Sequence, residues 1–206
     1  AELGINLGFS GQMGAYAATG TEDEDTERHR GSAAGIVGYG SVFIEKTLGS
    51  RLSIGMDYVP AALETETTSE SLTDQVAALS TNVAVTNTVQ VDFDDLTTLY
   101  AVLNLNENFY VKAGTVSVDV ITKESLGTGS EYGNASLDGS MLGAGYNYNT
   151  DSGLFLRAEA NVMDFDGVTL TSTAACATRT GTCANNVITL EELNGVSGKI
   201  SIGKSF

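Results

Sequence analysis

The feature that most constrains this chain is an alternation of period two, repeated in eight segments whose connections are by turns long and short. Period two places successive side chains on opposite faces of a strand. In residues 3–17, Leu3, Ile5, Leu7, Phe9, Met13 and Ala15 share one face, and Gly4, Asn6, Gly8, Ser10, Gln12 and Gly14 share the other. The third segment sets Leu52, Ile54, Met56 and Tyr58 against Ser53, Gly55 and Asp57. The seventh sets Leu154, Leu156, Ala158, Ala160 and Val162 against Phe155, Arg157, Glu159 and Asn161. In the second segment, residues 32–46, the phase stays open, because Val37, Tyr39 and Phe43 compete with Ile36, Val42 and Ile44. The fourth, fifth and sixth segments cover residues 91–103, 109–120 and 136–148, with Leu142, Ala144, Tyr146 and Tyr148 sharing a face in the sixth.

Polar connections at 20–31, 61–89, 121–135 and 165–186 alternate with short turns at 47–50, 104–108 and 149–153. Within the second of these long connections, residues 72–79 lack helix breakers and are expected to form a turn or two of helix. A soluble sandwich has no reason to keep every second connection short. A membrane barrel does, with short periplasmic turns and long outer loops. The expectation is an all-β fold: one eight-stranded antiparallel transmembrane β-barrel domain over residues 1–206. No run of about 18 apolar residues exists to make a spanning helix. A mean hydropathy of +0.02 suits a wall that alternates lipid-facing and lumen-facing residues.

A formal net charge of −16 excludes a nucleic-acid partner, which needs clustered Lys and Arg. The start at Ala1-Glu2, without Met, is what removal of a secretory signal at a small residue leaves, so an exported chain is expected. Cys176 and Cys183 form no CxxC pair and lack the second pair that a zinc site needs. A loop disulfide made in the periplasm is the expectation, with two free thiols as the alternative.

Counting back from the end, Phe206, Ile202, Ile200 and Val196 share one face, and Ser205, Gly203, Ser201, Lys199 and Ser197 share the other. This resembles the C-terminal signal by which the barrel assembly machinery recognises outer-membrane barrels, with Phe206, Ile202 and Ile200 at the matching positions. Lys204 departs from it, standing where an apolar residue is usual, although a Lys there can snorkel to water. With Phe109-Tyr110-Val111-Lys112-Ala113-Gly114 and Gly143-Ala144-Gly145-Tyr146-Asn147-Tyr148, the whole chain resembles the small outer-membrane β-barrel family of Gram-negative bacteria. That family includes the outer membrane protein A transmembrane domain and the opacity-type barrels. The resemblance implies a place in the cell outer membrane among lipid and lipopolysaccharide, and an anchoring, adhesive or narrow-pore role.

The residues point away from catalysis. The sole histidine, His29, stands between Arg28 and Arg30 beside an acidic run, and no Gly-x-Ser-x-Gly elbow is present. No cofactor is implied. Glu22, Asp23, Glu24 and Asp25 are weak candidates for a divalent cation, since hard cations take oxygen ligands, but their spacing matches no EF-hand. The charges expected in the lumen are Arg157, Glu159, Lys112, Asp138, Arg51, Asp57 and Lys199. An eight-stranded barrel is just wide enough for side chains to fill, so these should pair. The leading expectation is a non-enzymatic structural or surface-interaction protein, adhesin-like in its acidic outer loops. A narrow porin-like channel for ions or small solutes is the alternative, and a soluble β-barrel or secreted adhesin subunit the third. Homo-oligomerisation is open.

Overall fold

In a computed structural model, which describes residues 4–24, 27–75, 82–125, 131–173 and 187–206, eleven strands form one antiparallel sheet. They are β1 (Ile5–Glu24), β2 (Glu27–Thr47), β3 (Leu52–Tyr58), β4 (Leu63–Glu64), β5 (Thr68–Gln75), β6 (Asn82–Asn104), β7 (Phe109–Ser125), β8 (Ala135–Asn149), β9 (Leu154–Phe165), β10 (Val168–Thr171) and β11 (Val187–Ser205). Eight of them make a ring in the order β1-β2-β3-β6-β7-β8-β9-β11, which β11 closes by pairing with β1. At the lower end the closure is sealed by Phe206 N–H donating to Ile5 O at 2.9 Å and Ile5 N–H donating to Phe206 O at 3.2 Å. Closure removes the edges that a membrane does not tolerate.

The short turns fall where turn chemistry demands them. Gly49 and Gly153 have φ of 109° and 81°, conformations that a side chain resists. Thr150 O accepts from Gly153 N–H at 3.0 Å.

The opposite end departs from expectation. Among the described residues, the polar connections are mostly strand rather than loop, since β1 runs to Glu24, β2 starts at Glu27, β7 runs to Ser125 and β10 pairs with the start of β11. Residues 72–75, where helix was expected, belong to β5 and pair with β6, which begins at Asn82 rather than Val91. About 9–11 residues carry a tilted strand across the hydrocarbon. β1, β2 and β6, with 20, 21 and 23 residues, therefore stand well clear of it as hairpins. Once two strands are paired, each added Thr, Ser or Val extends the ladder at little cost. Residues such as Thr68, Ser69, Ser71 and Thr73 favour that over helix.

Pairing with β1 along its length, joined by β3 from Val42 to Thr47, settles the phase of β2. Val37, Tyr39, Ser41, Phe43 and Glu45 point inward, while Ile36, Val42 and Ile44 point outward. The outer face of the lower half is an apolar belt that includes Ile5, Leu7, Phe9, Ile54, Met56, Leu99, Val111, Leu142, Leu156 and Ile200, all exposed. Phe109 and Tyr146 stack edge to face at 5.2 Å near its lower rim.

Candidate functional site

The lower lumen is a polar core enclosed by an apolar wall. Its centre is the Arg157 guanidinium of β9, which donates to both oxygens of the Glu45 carboxylate of β2, at 2.7 and 3.0 Å. Asn6 Nδ2 donates to the same carboxylate at 3.0 Å. Glu45 is only 2% exposed, so a bidentate partner is what makes its charge tolerable. Lys112 Nζ donates to Glu159 Oε1 at 3.0 Å, and Tyr110 OH donates to Glu159 Oε2 at 2.7 Å. Lys199 pairs with Asp57. Three cations thus meet three carboxylates, and the layer is neutral. Rings complete it: Lys112 lies 4.1 Å from the centroid of Tyr100, and Arg157 lies 4.7 Å from that of Phe155. Tyr110 has room because Gly145 faces it, and a Cβ there would come within 2.4 Å of the ring.

Above this layer the lumen turns apolar. Val59, Leu96, Val116, Val118, Val120, Leu137, Met141, Met163 and Phe165 are buried together. Tyr16 and Tyr39 mark the boundary, their hydroxyls 2.7 Å apart, with Tyr16 OH also donating to Met163 Sδ at 3.8 Å. Just below, Asn161 Oδ1 and Ser197 Oγ are buried without a hydrogen-bond partner.

Five of the seven charges expected in the lumen are there: Arg157, Glu159, Lys112, Asp57 and Lys199. Two are not. Arg51 is exposed in the turn before β3. Asp138 is exposed on the outer face of β8, because residue 138 has the parity of Leu142, and at its height the outside is polar. Glu45 went unrecognised. The signal for it was parity with Tyr39 and Phe43, usable only once β2's phase was known. Phe206, Ile202 and Ile200 lie exposed on the belt, and the Lys204 ammonium sits 5.6 Å from the centroid of the Phe206 ring. Cys176, Cys183 and Asp25 lie outside the described residues, as does the side chain of Glu24.

The outer end is the other candidate. Segments 18–35, 59–96, 115–140 and 164–194 hold twenty of the 26 acidic residues and four of the ten basic ones. The rest of the chain balances six against six. The described residues of these segments, on the outer hairpins, include nineteen acidic and three basic ones, a net of −16. Asp23 is engaged by Arg28, whose Nη2 donates to it at 2.8 Å, and this hydrogen-bonded guanidinium holds the Asp23 carboxyl below its usual range. The Lys123 ammonium does the same to Asp92, with help from Gln90 Nε2 at 2.9 Å. Glu22 accepts from Tyr132 OH at 3.4 Å. Among the described residues, no three His, Cys, Asp or Glu gather as a metal site.

No family model matches the chain, and no curated protein matches it. Among solved structures, the outer membrane protein OprG from Pseudomonas aeruginosa is similar over 98% of this chain and 95% of its own, at 9% identity and a TM-score of 0.53. Ail, the attachment invasion locus protein of Yersinia pestis, was solved in complex with the heparin analogue sucrose octasulfate. It aligns over 97% of this chain and 99% of its own, at 12% identity and a TM-score of 0.37. A Pseudomonas aeruginosa FadL homologue aligns over 96% and 90%, at 10% identity and a TM-score of 0.31. At such identities the likeness to OprG shows the fold: an eight-stranded antiparallel barrel of the kind found in small outer-membrane proteins.

Proposed function

We propose that this chain is an integral protein of the bacterial outer membrane, non-enzymatic, with a closed lumen, that acts through its acidic outer hairpins. The observation that carries this is the filled lumen. Three buried ion pairs of zero net charge sit beneath a layer of buried Val, Leu, Met and Phe, and among the described residues no lumen charge is left over to line a path. The apolar belt supports the membrane location, since so much outward-facing Leu, Ile, Val and Phe at one height suits hydrocarbon rather than water. A crown whose described residues carry a net charge of −16 supports work at the outer surface. Suitable partners are cationic, or anionic lipopolysaccharide bridged by divalent cations. The one histidine stands exposed on β2, in register with Glu22, an arrangement that supports no acyl-transfer chemistry.

Planar-bilayer recording tests the reading. The purified chain should give no stable unitary steps, and reproducible steps of one size would overturn the closed lumen. A narrow pore for ions or small solutes is the second reading. It is favoured by Asn161 Oδ1 and Ser197 Oγ, whose unmet hydrogen-bonding capacity beside the ion pairs suits water.

A further inference from the structure

The barrel wall has a seam. β2 pairs with β3 only over Val42–Thr47, against Tyr58–Ser53. Above Val42, no described residue pairs with β2 on that side, although its ladder with β1 continues without a register shift to Glu27. The sole proline sets this break. Continuing the register, Pro60 falls opposite Gly40. Leu48 N–H donates to Leu52 O, whereas Thr47 N–H donates to Gly4 O, so even-numbered residues of β2 direct their backbone groups away from β1. Gly40 and residue 60 would therefore be a hydrogen-bonded pair, and proline has no N–H to give. The chain turns aside instead, with Val59 N–H donating to Leu96 O at 3.0 Å, and β4 and β5 go on to pair with β6.

What remains is the edge of β2, where Ser32, Ala34, Ile36, Gly38 and Gly40 aim N–H and C=O groups into the seam. Edges of this kind are usually blunted by Lys, Pro or a bulge. Residues 31–41 contain no charged residue and no proline, and β2 has no bulge against β1 here. Both faces of residues 28–36 are exposed, so among the described residues no side chain covers the edge from an approaching strand. Across the seam, Glu64, Glu66 and Glu70 are exposed on and beside β4 and β5, within a crown whose described residues carry a net −16.

We infer that this edge is a docking site for an extended, positively charged polypeptide segment, which adds to β2 as an antiparallel strand. Two independent properties select that occupant. A row of alternating N–H and C=O groups at strand spacing is complementary to the backbone of another strand. The sign of the crown selects cationic side chains and steers them in. The inference deepens the surface-interaction reading and rests on it.

The test uses the full chain in detergent micelles and three ten-residue probes: alternating Lys/Thr, alternating Glu/Thr, and the Lys/Thr peptide with every second backbone nitrogen methylated. Fluorescence anisotropy should show the Lys/Thr peptide binding at least tenfold more tightly than either other probe. Ala34→Pro removes one edge donor without touching the β1 ladder, and should weaken binding about tenfold. The triple variant E64Q/E66Q/E70Q should weaken it several-fold. Equal binding of the methylated peptide would overturn the inference, because the attraction would then be diffuse charge alone. No binding of the Lys/Thr peptide at millimolar concentration would overturn it too. If Ala34→Pro loses heat-modifiable gel mobility, and so the fold, the methylated probe on the unchanged chain still decides. A silent barrel that binds no peptide sinks only the edge. A conducting barrel sinks the closed lumen and leaves the edge standing.

Discussion

The two ends of this barrel obey opposite rules. In the lower half, the inside is polar and the outside apolar: on β9, Arg157, Glu159 and Asn161 face in while Leu156, Ala158, Ala160 and Val162 face out. In the upper half of the same strand, Met163 and Phe165 face in and Asp164 faces out. β7 switches in the same way, from Tyr110 and Lys112 inside with Val111 and Ala113 outside, to Val116, Val118 and Val120 inside with Ser117 outside. β8 switches between Leu142 and Ser140 on its outer face. The backbone does not change phase at any of these points. What changes is the surrounding solvent. Below the switch the wall is built for hydrocarbon and its core holds the polar groups; above it, the strands follow the ordinary rule for a protein in water. On the outer-membrane reading proposed above, the line through Ala113/Thr115, Leu142/Ser140 and Val162/Asp164 is where the outer interface of the membrane lies.

The contrast can be broken most sharply at the ion pairs. Arg157→Met strands the Glu45 carboxylate in the lower lumen, and should cost about 3–5 kcal/mol in urea unfolding from micelles. A loss under about 1 kcal/mol would mean that water reaches this layer. In the upper core, Leu137→Ala should cost about 2–5 kcal/mol by opening an apolar cavity. Next comes a matched pair on the outer face of β7. Val111→Arg places a charge in the belt and should cost about 2–4 kcal/mol, while Ser117→Arg, beyond the switch, should stay within about 0.5 kcal/mol. Equal costs would erase the interface between the two halves. A smaller change is expected from Pro60→Thr, which restores a donor opposite Gly40. Amide exchange at Gly40 and Gly38 should slow, and unchanged exchange would show that proline is not what opens the seam. Smallest is the response to acid. Asp23 and Asp92 have carboxyl groups held below their usual range by Arg28 and Lys123, so the stability they add is present above about pH 4 and lost as the pH falls through their lowered folded values. Carbon-13 shifts should report both titrating below that point, and Asp23→Asn should leave Arg28 without its partner and the tip of the β1–β2 hairpin more exchangeable.

Much of this was legible beforehand, for reasons that differ by region. Strands bordered by lipid carry strict alternation, because a misplaced polar side chain there is costly; hence the faces of β1, β3 and β9 follow from residue order alone. The outer hairpins are wetted on one or both sides, and residues such as Thr65, Thr67 and Ser69 suit loop or strand equally, so their ladders leave no comparable trace. Asp138 shows the trap. It is polar and lies in a barrel strand, yet the rule linking polar to lumen had already reversed at its height. Glu45 shows the converse: its role needed a facing for β2 that only pairing with β1 supplies.

By itself, then, the order of residues determined the number of wall strands, their alternating connections, the apolar belt and the pool of charges that had to be neutralised. These are local or compositional properties, written in neighbours two apart. Only the tertiary structure decided which carboxylate meets which cation, where inside and outside exchange character, and that no described residue pairs with β2 above Val42 on the side of β3. Those depend on strands brought together from positions as distant as Glu45 and Arg157, 112 residues apart, and no spacing along the chain encodes who will stand across a closed ring.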